Sequence, residues 1–139
     1  MKKQFKLLAL LMALVTMLTC MTMPIQAAVV QPDVEPNWVN TMSITLTLTF
    51  PDDGYAEATI IGDDGVTKIV IDVYVYRQIG SSWAKVGEKH TTCFGTLGAI
   101  SCQFNTINRA YYRADYTFTV TKGNYDEVIN KTQYRTCSQ

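Results

Sequence analysis

The chain has 139 residues, 47% of them hydrophobic, with 12 basic and 12 acidic side chains and a formal net charge of zero. That length suits one domain with its own core, and the charge balance leaves no basic surface for nucleic acid or an anionic membrane.

The first segment carries an export signature. Lys2, Lys3 and Lys6 precede an apolar run from Leu7 to Leu18 broken only by Thr16, and Ala27 and Ala28 follow Pro24. This is the three-part layout of a secretory signal peptide. As a helix the apolar run spans roughly 18 Å at about 1.5 Å per residue, short of the ~30 Å hydrocarbon core. Cleavage after Ala27 or Ala28 is therefore expected rather than retention as an anchor. Cys20 follows the bulky Met17, Leu18 and Thr19, whereas a lipid-modified cysteine normally follows a small residue. Residues 1–28 thus read as a signal peptide, 29–41 as an extended lead-in with Pro32 and Pro36, and 42–139 as the domain. Loss of three lysines leaves 9 basic against 12 acidic residues, a net charge of −3.

From Met42 the pattern has period two. Met42, Ile44, Leu46, Leu48 and Phe50 alternate with hydroxyl residues, predicting a strand with one dry and one wet face. "PDDG" ends it, and Tyr55 to Ile61 is a second strand with Ala56, Ala58 and Ile60 on one side. "GDDG" ends that one. Lys68 to Arg77 places Ile69, Ile71, Val73 and Val75 on one face and Asp72, Tyr74 and Tyr76 on the other. Trp83 to Lys89 and Ala99 to Phe104 are shorter strands. Tyr112, Ala114, Tyr116, Phe118 and Val120 alternate with polar residues in a strong sixth, and Val128 to Tyr134 is a seventh. Apolar residues nowhere repeat at helical spacing over this stretch. Seven short strands separated by turn signals indicate an all-β sandwich of immunoglobulin or fibronectin type III type, with a closed barrel as the alternative.

The run Ile69-x-Ile71-x-Val73-x-Val75 ending in Arg77, then "GSSWAKV" and "YRADYTFTV", resembles a group of small secreted bacterial proteins of unknown function whose mature part is one fibronectin-like domain. The resemblance spans about Ser43 to Thr121. It implies fold and export, and carries no catalytic motif. "NRAYYRADYTF" also resembles the tyrosine corner of sandwich domains, with Tyr112 as the corner residue bonding backbone across a loop.

The Asp-Asp-Gly triplets invite a calcium reading. Calcium wants six to eight converging oxygens. Seven residues of strand separate the triplets by roughly 23 Å, so they cannot share a site. They read as turns, with Asp bonding nearby backbone and Gly taking positive φ. No metal and no cofactor is expected. Cys93, Cys102 and Cys137 follow the signal, and an exported chain can oxidise them. Cys93 and Cys102, closest in sequence, are the expected disulfide, with Cys137 a frayed thiol or an alternative partner.

His90 is read as a loop or strand-end residue, because its direct neighbours in an extended chain point to opposite faces and no nucleophile elbow is present, and every carboxylate as solvated in a turn or on a wet face. No enzymatic activity is expected. Tyr55, Tyr74, Tyr76, Trp83 and Tyr111 form the aromatic group, and Tyr74, Tyr76 and Trp83 are the candidate ligand-binding residues: a tight hairpin would align them as an aromatic platform for a protein or carbohydrate partner. Cross-strand pairing, or burial of Trp83 in the core, would account for the same residues. The expected role is an exported, extracellular binding or interaction module, touching a membrane only through its signal before cleavage. A secreted hydrolase or inhibitor with a loop-borne site, and a structural surface protein self-associating through an edge strand or Cys137, are the alternatives.

Overall fold

The structure is a computed structural model and describes residues 31–33 and 38–138. The expected signal peptide lies outside the described residues. Eight strands follow one another: β1 (Gln31–Asp33), β2 (Thr41–Thr49), β3 (Gly54–Gly62), β4 (Val66–Ile79), β5 (Ser82–Phe94), β6 (Leu97–Phe104), β7 (Tyr111–Lys122) and β8 (Tyr125–Thr136). No described residue is helical. Two antiparallel four-stranded sheets form, in the orders β1-β2-β3-β6 (sheet I) and β5-β4-β7-β8 (sheet II). The fold is an immunoglobulin-like sandwich.

Alternation builds the interior. Ile44 and Leu48, Ala56 and Ile60, Ile100 and Phe104 point inward from sheet I, and Ile69 to Val75 and Tyr112 to Val120 from sheet II. Leu46, Ile71 and Phe118 share this one core. Removing such side chains from water is the main favourable contribution to folding, at about 25 cal/mol per Å2 of apolar surface. Tyr112 closes one end. Its hydroxyl accepts a hydrogen bond from Ile107 N at 2.8 Å, five residues upstream, and its ring packs on Phe50 and Phe104 at 5.2 and 5.4 Å. That is the tyrosine corner expected at this position.

Several expectations need correction. Within the extended lead-in, Gln31–Asp33 is a strand paired with Ile44–Leu46 of β2, because β2 would otherwise end sheet I with unpaired backbone. Met42 is 61% exposed rather than inward, since a register shift between Thr41 and Ser43 turns it out and buries Thr41 instead. The two triplets are turns of different kinds. Gly65 has φ +89°, with Val66 N donating to Asp63 O at 3.1 Å, as a turn glycine should. Gly54 instead begins β3, and a Cβ there would lie 2.2 Å from the Phe104 ring, so close approach is what requires glycine.

The expected Cys93–Cys102 bridge is absent, and Cys93, Cys102 and Cys137 are all free thiols. Gly87 on β5 is the residue facing the Cys102 sulfur, which lies 3.3 Å from where a Gly87 Cβ would stand. Cys93 is six residues further along β5, roughly 20 Å away at 3.3 Å per residue, whereas a disulfide needs Cα atoms within about 7 Å. Cys137 is not frayed: it is fully buried, its N–H donates to Ala110 O at 2.9 Å and its carbonyl accepts from Arg109 N at 2.8 Å.

Glu127 also departs from expectation. It is 8% exposed, not solvated. Its Oε1 accepts from Val39 N at 2.6 Å, and its Oε2 from Asn40 N at 3.1 Å and Thr41 Oγ1 at 2.9 Å. Three donors from the segment that leads into β2 thus satisfy a carboxylate from β8, tying the two sheets at one edge.

Candidate functional site

The outward face of sheet II carries the chemistry. On β4 the outward residues are Asp72, Tyr74, Tyr76 and Gln78, alternating with the buried Ile71, Val73 and Val75. Along β5 the register is uniform as far as Val75↔Gly87, so His90 lies beside Asp72 and Glu88 beside Tyr74. A bulge then intervenes: Tyr76 pairs with Lys85 and Gln78 with Trp83, leaving Val86 unpaired. One extra residue reverses which side chains face outward. Without the bulge Trp83 would point to the interior. With it, Trp83 and Lys85 join the tyrosines on the outer face.

β7 and β8 complete the patch. Tyr76 pairs with Arg113, and Arg113 with Tyr134, so Lys85, Tyr76, Arg113 and Tyr134 form a row across all four strands. The Trp83 ring lies 5.9 Å from Tyr111 and 6.2 Å from Tyr134, and Tyr111 stacks on Tyr134 at 5.9 Å with an interplanar angle of 16°. The Arg113 guanidinium lies 4.6 Å from the Tyr76 ring centre and 5.0 Å from that of Trp83. Cation–π contact with two rings holds it flat among them. Lys85 approaches the Tyr74 ring at 5.8 Å. Tyr74, Tyr111 and Tyr134 remain 40%, 39% and 53% exposed.

The charges are arranged in pairs. Arg113 Nε sits 3.1 Å from Asp115 Oδ2, close enough for an ion pair though out of line for a hydrogen bond. Lys85 pairs with Glu88, which raises the lysine pKa through that hydrogen bond. His90 Nδ1 meets Asp72 Oδ1 at 2.5 Å. Together with Tyr74, Glu88 and Lys89 these two line a shallow depression of about 360 Å3.

The structure therefore brings together the three residues singled out in the sequence, but in a larger group. Tyr76 and Trp83 join through Arg113, whereas Tyr74 stands one row away beside Lys85. Arg113 and Tyr134 were missed, and Tyr111, one of the five aromatic residues weighed, was not placed on the platform. Their signal was in the sequence: Tyr111 and Arg113 are period-two neighbours on a strand whose other face is plainly buried. What the sequence lacked was the register bringing β8 alongside. His90 lies inside β5 rather than in a loop or at a strand end, because β5 runs on to Phe94. Its pairing with Asp72 is a base held by an acid, but the residues lining that depression supply no serine, threonine or cysteine as a nucleophile. Cys102 is buried, and burial pushes its thiol pKa up, away from a reactive thiolate. Among the described residues no group of three or more His, Cys, Asp or Glu side chains converges to hold a metal ion.

No family model matches the chain, and no curated protein matches it. Among solved structures it is similar to murine CRIg (15% identity, 68% of this chain and 96% of that one, TM-score 0.38). It is similar too to a protein from Archaeoglobus fulgidus (14% identity, 71% and 97%, TM-score 0.39). A protein from Arabidopsis thaliana solved in solution also aligns (8% identity, 85% and 90%, TM-score 0.41). Likenesses this distant carry nothing about function.

Proposed function

We propose that this protein is an exported, non-enzymatic binding module whose contact surface is the outward face of sheet II around Trp83. One observation supports the reading above others: Trp83, Tyr76, Tyr111 and Tyr134 gather around Arg113 on an open sheet face. Tyrosine, tryptophan and arginine are the residues that dominate binding energy at interfaces, since they offer large rigid area with polar edges. Here they are preorganised by one another, which reduces the ordering cost of association. Export is supported by the basic start, apolar run and small residues of the first 28 positions.

The test immobilises the chain from Val29 and exposes it to separated protein and polysaccharide fractions of bacterial cell surfaces. Retention of a component should drop about tenfold or more on Trp83→Ala. Phe94→Ala, at the far end of β5 and 83% exposed, should leave retention unchanged. Equal retention by both variants, or none by the unmodified chain, overturns the proposal.

A further inference from the structure

Resting on the binding reading above, we infer that the ligand is an uncharged polysaccharide. The charge pattern selects this class. The charges interleaved with the exposed rings are matched in pairs: Arg113 with Asp115, Lys85 with Glu88, and His90 with Asp72. Lys89, the remaining cation beside the depression, donates to Ser101 O at 2.9 Å. To reach Arg113, Lys85 or His90 an anionic polymer would have to displace an existing carboxylate partner. A cationic one would meet carboxylates already engaged.

What the face offers instead is ring surface and phenol hydroxyls. Trp83, Tyr111 and Tyr134 have centres 5.9–6.2 Å apart. The three centres form a near-equilateral triangle, a compact aromatic cluster on the scale of one sugar ring. The C–H face of a sugar packs on an aromatic ring, while its equatorial hydroxyls reach the phenol groups and the Arg113–Asp115 pair at the edge. Tyr111 and Tyr134 are exposed, and no hydrogen bond among the described residues uses their hydroxyls. The opposite outward face makes the contrast. Its depression of about 380 Å3 is lined by Thr45, Thr47, Glu57, Thr59 and Ser101 with two alanines and an isoleucine, and contains no ring.

Affinity electrophoresis of the chain from Val29 tests this, with neutral β-glucan, xylan, mannan or amylose cast into the gel and polygalacturonate as the anionic counterpart. At least one neutral polymer should retard the protein. Trp83→Ala and Tyr134→Ala should each weaken that retardation by about tenfold, and Phe94→Ala should not. Raising salt from about 50 to about 500 mM should leave it unchanged, because no net charge is engaged. Circular dichroism establishes that each variant is folded, and if Trp83→Ala is not, the more exposed Tyr134→Ala decides alone. Retardation by polygalacturonate only, or retardation by a neutral polymer that survives both ring deletions, overturns the inference. So does no retardation by any neutral polymer. If a protein fraction is retained through Trp83 while no neutral polymer binds, the sugar assignment falls and the binding-module reading stands.

Discussion

The outward faces of the two sheets meet the same solvent and obey the same alternation, yet they differ in what they carry. Between Thr45 and Ser101, sheet I presents hydroxyls, alanine and a glutamate, with Ser101 Oγ donating to Glu57 Oε1 at 3.0 Å. Short β-branched hydroxyl residues suit a wet strand and need no partner. Sheet II presents rings and an arginine held between two of them. Sheet I also leaves apolar side chains exposed, at Met42, Ile61 and Leu97, but only sheet II gathers aromatic rings around a cation. The difference also runs along sheet II: towards the β7–β8 turn its outward residues on β7 are Thr117, Thr119 and Thr121, Phe94 stands apart at the end of β5, and the clustered rings lie in the other half.

Four tests sharpen or break this contrast. The largest effect should come from the interior both faces share. Phe118→Ala, at a fully buried position, should cost about 3–5 kcal/mol in urea unfolding, because a cavity is added to the lost transfer energy. A loss below about 1 kcal/mol would mean the sheets do not share one core. Next comes the tie between sheets. Glu127→Gln replaces one of two acceptor oxygens by a donor facing Val39 N, Asn40 N and Thr41 Oγ1, and should cost about 1–3 kcal/mol. Protection of the Val39 and Asn40 amides from hydrogen exchange should fall first. Unchanged protection would remove Glu127 as the tie.

The third concerns alkaline pH. Burial pushes the Tyr116 phenol well above its ordinary value near 10. Its folded pKa is raised, so the folded state keeps a proton that the unfolded chain releases. Stability is therefore intact below about pH 10 and lost above it, by about 1.4 kcal/mol per pH unit. Tyr116→Phe should abolish that slope, and should change stability at pH 7 by less than about 1 kcal/mol, because the hydroxyl reaches Thr47 O only at 3.5 Å. An identical alkaline slope in the variant would assign it to other groups. The smallest effects separate the faces directly. Trp83→Ala should cost about 1 kcal/mol through lost ring contacts, and a double-mutant cycle with Tyr134 should show coupling of about 0.5–1 kcal/mol. Thr47→Val on the plain face should stay within about 0.5 kcal/mol. Equal effects on the two faces would erase the distinction between them.

Much of the fold was legible beforehand. Each of the seven expected strands exists, the inward residues of β3, β4, β6 and β7 are those the alternation picked out, and the tyrosine corner stands at Tyr112. Less of the candidate site was legible. Tyr74, Tyr76 and Trp83 were recognisable as a group, but their setting in Arg113, Tyr111 and Tyr134 was not, and neither was the bulge at Val86 that turns Trp83 outward. The disulfide failed for a related reason: nine positions of sequence separation say nothing about two strands running antiparallel past each other.

By itself the sequence determined which residues can share a face, because the pleat alternates side chains locally and solvent sorts them by polarity. Only the tertiary structure decided which faces meet: the register of β8 on β7, the bulge between Val75 and Tyr76, the distance from Cys93 to Cys102, and the burial of Glu127 beneath Val39, Asn40 and Thr41. Those features depend on contacts between segments far apart in the chain, where a shift of one residue reverses every side chain beyond it.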